Sequence, residues 1–253
     1  MSEWNSVQYL KFESQRTQPA LDLAVRVAER CDPKTIVDVG CGPGNSTVVL
    51  QRCFPNADIF GIDSSSSMIE SAKREHPDLL FRLCDASRLE GRYDLLFSNA
   101  RLQWIPNHEV LIPALMNRLN DGGVLAVQIP MNGEEPLFRL IEEIAAEPQW
   151  GIDVTVLQYN QVLAPHEYFD ILSDCASHFD MWEIRYYHHL ADHNALVEWV
   201  KGTRLRPYLT LLEEERGAEF ENEIVQKAKE LYPVRKHGGV VLGFRRLFFT
   251  AEK

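Results

Sequence analysis

The string Val37-Asp38-Val39-Gly40-Cys41-Gly42-Pro43-Gly44-Asn45-Ser46-Thr47 constrains this chain more than any other. A β-rich run, Thr35 to Val39, ends in it, and Asn45 to Cys53 follows with helical spacing. Glycines between a strand and a helix permit positive φ and remove side chains that would keep a ligand off the backbone. The simplest alternative is a tight strand-to-helix turn that holds nothing. A dinucleotide-binding loop reads G-x-G-x-x-G and aims a helix N-terminus at a pyrophosphate. Here the third glycine comes one position early and no phosphate-binding lysine follows. The spacing therefore suits a nucleoside ligand without phosphates.

The glycine loop stands in an alternation of short apolar runs and helical patterns. Strands are predicted at Ile59–Ile62, Leu79–Leu83, Tyr93–Ser98 and Val124–Ile129, with helices at Ser67–Arg74 and Val110–Leu119 between them. Such βαβ units imply a parallel sheet with right-handed crossovers. After Pro130 the chain turns helical and loop-like to Leu172, Met181–His188 reads as a sixth strand, and Leu196–Tyr232 is again helical. Gly238-Gly239 opens a closing run, Val240–Thr250. The expectation is an α/β fold, a Rossmann-like seven-stranded sheet with a helical cap. It is a single domain over 1–253, with a nucleoside-binding core at 30–130, cap segments at 131–175 and 190–235, and an N-terminal lid segment at 1–20.

Composition narrows the partners. The net charge is −11, which repels polyphosphate backbones and anionic lipid surfaces, so neither nucleic acid nor membrane is an expected partner. No window reaches the roughly 18 apolar residues of a membrane helix, and the opening Met-Ser-Glu-Trp-Asn carries acid where a signal peptide carries positive charge. Cys31, Cys41, Cys53, Cys84 and Cys175 are odd in number and show no C-x-x-C spacing. Reduced thiols in the cytoplasm and no metal site are expected.

Further along, Gly61-Ile62-Asp63 ends the second strand about 20 residues after the glycines, where an acid accepts ribose hydroxyls. Asp63 would otherwise be the N-cap of the next helix. At the end of the third strand, Asp85 is placed to accept from an adenine amino group and the Ala86 amide to donate to the ring; the plainer alternative is a solvated turn. Met68 offers a soft apolar surface to the base, or is helix core. The His188-His189 pair reads as structural or exposed, Cys41 as a packing residue, and Glu213-Glu214-Glu215 as a solvated helix face.

Asp38 with Gly40, Gly42 and Gly44, then Asp63-Ser64, Asp85 and Asn99, resemble the class I S-adenosylmethionine-dependent methyltransferases. Within that class, Trp4-Asn5, Tyr9-Leu10, Asn99-Ala100 with Leu102-Gln103-Trp104, Leu205-Arg206-Pro207 and Arg246-Leu247-Phe248 are similar to trans-aconitate 2-methyltransferases almost end to end. The resemblance implies an antiparallel final strand, S-adenosyl-L-methionine as cofactor, and methyl transfer to a carboxylate of trans-aconitate, giving a monomethyl ester. It assigns Asp38, Ser64 and Asn99 to the cofactor site with the glycines. A carboxylate with a pKa near 4 is ionised at neutral pH, so neither a general base nor a metal is expected. A tricarboxylate needs local cations: Arg16, Arg206 and Arg246 are the candidates, with Tyr9 and Trp104 as pocket walls and Arg101 and Arg204 behind them. Arg16 could equally clamp the cofactor's own carboxylate. Arg101 stands where a small residue is expected, and Gly133 where a bulkier aromatic one is. Other acceptors on the same fold (another acid, an amine, a malonyl thioester), a nucleotide-dependent dehydrogenase and a non-catalytic cofactor-binding protein are the alternatives. A monomer is expected.

Overall fold

A computed structural model describes residues 13–154, 157 and 162–253, with side chains from Thr17 onward in the first helix. Most of the N-terminal segment expected as a lid, Tyr9 included, lies outside the described residues. In chain order the main elements are α1 (Glu13–Ala28), β1 (Thr35–Val39), α2 (Asn45–Cys53), β2 (Asp58–Asp63), α3 (Ser66–Glu75), β3 (Leu80–Leu83) and β4 (Tyr93–Asn99). There follow α4 (His108–Met116), β5 (Leu119–Pro130), α5 (Pro136–Ala145), α6 (Pro165–Cys175), β6 (His178–Leu190) and α7 (His193–Val200). The short α8 (Arg206–Leu209), α9 (Glu214–Leu231) and β7 (Val240–Glu252) complete the chain.

The seven strands form one sheet in the order β3-β2-β1-β4-β5-β7-β6. β1 pairs in parallel with β2 on one side and β4 on the other, and the parallel pairing continues to β3 and β5. The order reverses between β1 and β4, which opens a crevice at the carboxyl ends of those strands. β7 runs antiparallel to β5: Met131 N donates to Arg245 O at one end, and Lys253 N to Gly123 O at the other. The central strands are nearly continuous apolar runs because both faces of a parallel sheet are covered. Leu95, Leu96, Phe97, Leu125, Ala126 and Val127 have no exposed surface.

The strands expected from sequence are all present. Several boundaries differ: β6 begins at His178 rather than Met181, and α4 stops at Met116 while β5 already begins at Leu119 rather than Val124, so that it takes in Gly122 and Gly123. The strand absorbs those glycines through a register irregularity between Tyr93 and Leu95 on β4. α1 was not expected as a helix. Ala20, Leu23, Ala24 and Val27 form its buried face at a spacing of three and four residues, which is the helical stripe.

The chain divides into two compact units. The first holds residues 1–130, 160–184 and 247–253, and the second 131–159 and 185–246, so β6 and β7 each contribute to both. In the second unit Phe220 packs edge-on against Trp150, with centroids 5.0 Å apart, and stacks on Tyr208. Tyr232 there accepts from Leu137 N through its hydroxyl (3.0 Å), and its carbonyl bonds the ring of buried His193 (2.8 Å). Glu213, Glu214 and Glu215 are exposed at the start of α9. His188 is buried against Trp199, and burial pushes its pKa down to about 4, while His189 is exposed.

Candidate active site

β1 delivers its last residue into the glycine loop with Asp38 fully buried just before it. One oxygen of that carboxylate accepts from Ser46 Oγ (2.6 Å) and Thr47 Oγ1 (2.7 Å), both in the first turn of α2. The other oxygen, Oδ1, is buried without a partner. Burial pushes the Asp38 pKa up to about 6 against the pull of the two hydroxyl donors. Asp38 therefore ties the strand to the helix from beneath the loop. The loop itself hangs on β2, since Gly40 N and Cys41 N both donate to Ile62 O (2.8 and 2.9 Å). Cys41 packs inward with Ile69, Ala72 and Phe81, as a packing residue does.

An open cleft lies above this loop, at the carboxyl ends of β1, β2 and β4. Of the residues expected at a nucleoside site, Gly40, Gly42, Asp63, Met68 and Asn99 line it, as does Trp104, expected as an acceptor-pocket wall. A Cβ built on Gly42 would meet nothing within 4 Å. Asp63 is 4% exposed; its Oδ2 accepts from Gly42 N (3.2 Å) and its Oδ1 from Ser65 N (2.9 Å). Each oxygen retains a lone pair for a further donor. Asn99 ends β4 with its Oδ1 buried and without a partner.

Other expected residues are placed differently. A side chain at Gly44 would meet His76 and Phe81 under the loop. Ser64 is exposed and accepts from Arg101. Asp85 is exposed and caps a 3₁₀ turn over Ala86–Arg88; its Oδ1 takes Ser87 N (2.9 Å) and Ser87 Oγ (2.6 Å), and these bonds hold its pKa low. The side chain of Arg16 lies outside the described ones. Arg206 and Arg246 belong to the second unit. Arg246 is 4% exposed there, its guanidinium 4.8 Å from the Phe244 ring centroid, and burial lowers the pKa of Arg206.

Several lining residues escaped sequence reasoning. Thr17 and Ala20 enter from α1, Asn45 and Ser46 from the start of α2, and Ser65 from the cap of α3. Arg101, ranked behind the other arginines, lies in the cleft. Its methylenes cover Gly40, where a Cβ would fall 1.8 Å from Arg101 Cγ, and its Nη2 donates to Ser64 Oγ (2.7 Å). Ala100 takes a left-handed φ of 53°, and its amide donates to Gln128 O (3.0 Å). Behind the Leu102–Trp104 turn, buried His108 donates from Nε2 to Leu102 O (2.8 Å), so its Nδ1 accepts from Tyr168 Oη (2.6 Å). His108 and Tyr168 gave no sequence signal because they are 60 residues apart.

Among the described residues no three His, Cys, Asp or Glu side chains are grouped to hold a metal ion, and no helix is long and apolar enough to cross a membrane. All five cysteines are free thiols.

A family model described as a methyltransferase domain matches residues 36–123. A trans-aconitate 2-methyltransferase from Methylobacterium radiotolerans is 40% identical over 259 residues, covering all of this chain and 99% of the relative. One from Methylobacterium nodulans is 42% identical over 257 residues, with the same coverage. Among solved structures, phosphoethanolamine N-methyltransferase 2 of Haemonchus contortus, in complex with phosphomonomethylethanolamine and S-adenosylhomocysteine, superposes with a TM-score of 0.56 at 17% identity. It covers 93% of this chain and 52% of that one, a likeness of fold.

Proposed function

The chain belongs to the trans-aconitate 2-methyltransferase family, and from that premise we propose that it uses S-adenosylmethionine to methylate one carboxylate of trans-aconitate to a monomethyl ester. The observation that carries the reading is the cleft at the switch point of the sheet: a glycine floor, a strand-end carboxylate at Asp63 and the unpartnered Asn99 Oδ1. These groups fit a nucleoside with an amino-acid tail, because nothing in them calls for a phosphate and the two acceptors match hydroxyl and ammonium donors. Asp63 would take the ribose hydroxyls on its remaining lone pairs, Asn99 the tail, and Met68 the face of the base. Ser64, Asp85 and the Ala86 amide would complete the nucleoside contacts. Asp38 would act through Ser46 and Thr47 by fixing the loop.

When bound, S-adenosylmethionine supplies a methyl group on a sulfonium, which leaves as a neutral thioether when a carboxylate oxygen takes the methyl. The acceptor is already ionised, so the chain has no proton to remove. Its work is to align the carboxylate, exclude water and offset charge, and positioning of this kind is worth several kcal/mol. Trp104 would wall the acceptor side. Arg16, Arg206, Arg246 and Tyr9 remain proposed acceptor contacts, and we place the enzyme as a cytoplasmic monomer, in keeping with its free thiols.

The test is turnover of methyl-labelled cofactor with trans-aconitate beside a panel of other acids, amines and malonyl thioesters. Ester on trans-aconitate with at least tenfold preference in kcat/KM is expected. Transfer to another acceptor with trans-aconitate inert would retire the substrate.

A further inference from the structure

We propose that Arg101 binds an acceptor carboxylate that is not the one being methylated, and so sets this enzyme's preference for polyanionic acceptors. The proposal rests on the functional reading above and adds a residue to it. Among the described residues lining the cleft, Arg101 is the one cation and Asp63 the one acid. A tricarboxylate approaching a chain of net charge −11 meets repulsion, increased locally by Asp63, and needs a guanidinium at the site itself.

The backbone delivers that guanidinium into the cleft. Ala100 holds a left-handed φ of 53°, a conformation alanine rarely adopts, and its neighbours lock it: its amide bonds Gln128 O, and its carbonyl accepts from Gln103 Nε2 (2.7 Å). The turn sends the Arg101 side chain across Gly40, where the absence of a Cβ leaves room for its methylenes. Its one hydrogen bond among those described goes to the exposed hydroxyl of Ser64, a neutral acceptor at the rim and no carboxylate. A bond from a cation to a serine hydroxyl is readily exchanged for a bidentate carboxylate pair, which is stronger and geometrically matched. Arg101 is thus a cation held in the cleft and, among the described residues, in no ion pair, although its charge helps to hold the pKa of the exposed Asp85 low.

The carboxylate it holds must be a spare one. A guanidinium on the reacting oxygen would stabilise the ground state and blunt the nucleophile, raising the barrier it should lower. The role therefore predicts a specific split in kinetics. Arg101→Ala should raise KM for trans-aconitate at least tenfold and leave kcat within about threefold. Arg101→Lys should recover part of the loss, since it keeps the charge and drops the fork. With a monocarboxylic alkenoate as acceptor, wild type and Arg101→Ala should differ by less than threefold, because no spare carboxylate exists. The Kd for S-adenosylhomocysteine, measured by calorimetry, should be equal or tighter in Arg101→Ala. An unchanged KM for trans-aconitate, or parallel weakening of S-adenosylhomocysteine and trans-aconitate, overturns the proposal and leaves the functional reading standing. A wild-type enzyme inert toward trans-aconitate overturns both.

Discussion

At the scale of single residues, Asp63 has the most demanding position. It is nearly buried, supports the loop through Gly42 N and α3 through Ser65 N, and still presents acceptor capacity to the cleft. Asp63→Ala is expected to weaken S-adenosylhomocysteine binding on the order of a hundredfold, the worth of two hydrogen bonds to a charged group. Calorimetry on the folded variant checks it; affinity within threefold of wild type would remove the ribose contact. Asp63 was legible in the sequence because its distance from the glycine loop follows from the length of one helix and one strand. Arg101 was underrated for the opposite reason. Its place depends on a left-handed turn at Ala100 and on the empty space over Gly40, neither of which a linear pattern reports. Asp85 shows a third case: its position at a strand end was correct, yet its carboxylate is engaged by Ser87, two residues on.

At the scale of elements, the joint between β1 and α2 carries a pH dependence. The folded pKa of Asp38, about 6, lies above the ordinary value near 4 because burial penalises the charge. The stability this group contributes is therefore full below pH 4 and is lost as pH rises through about 6. Between pH 5 and 7.5 the loss amounts to about 1 kcal/mol. Asp38→Asn should flatten the wild-type decline over that window, read by urea denaturation at both pH values. Equal slopes for the two proteins would show that Asp38 does not titrate there. The same scale bears on α1, which was not expected as a helix and of which only residues 13–20 fall in the segment expected as a lid. Its stripe at positions 20, 23, 24 and 27 is helical, but Gln18-Pro19 precedes it, and proline inside a helix normally signals a boundary. The central strands β1, β4 and β5 were legible because both faces of a parallel sheet are buried there, which leaves uninterrupted apolar runs.

On the scale of the whole molecule, the cleft draws all its described lining from the first unit, from segments far apart in the chain. A ligand there stabilises the fold by mass action, about 2.7 kcal/mol at a hundredfold excess over Kd. Hydrogen exchange with saturating S-adenosylhomocysteine should show new protection together in peptides spanning 36–46, 61–68 and 99–104. Protection missing from any of the three would mean that the cofactor sits elsewhere. The arginines of the second unit were chosen from sequence for the charge they carry, and a sequence does not say which cation reaches which cleft.

The strained turn at Ala100 has an evolutionary corollary. Position 101 overlies a glycine and touches a rim serine, so its side chain can be exchanged while the hydrophobic interior and the glycine floor stay as they are. A single codon there is a low-cost route by which descendants of this enzyme could drift from one anionic metabolite to another.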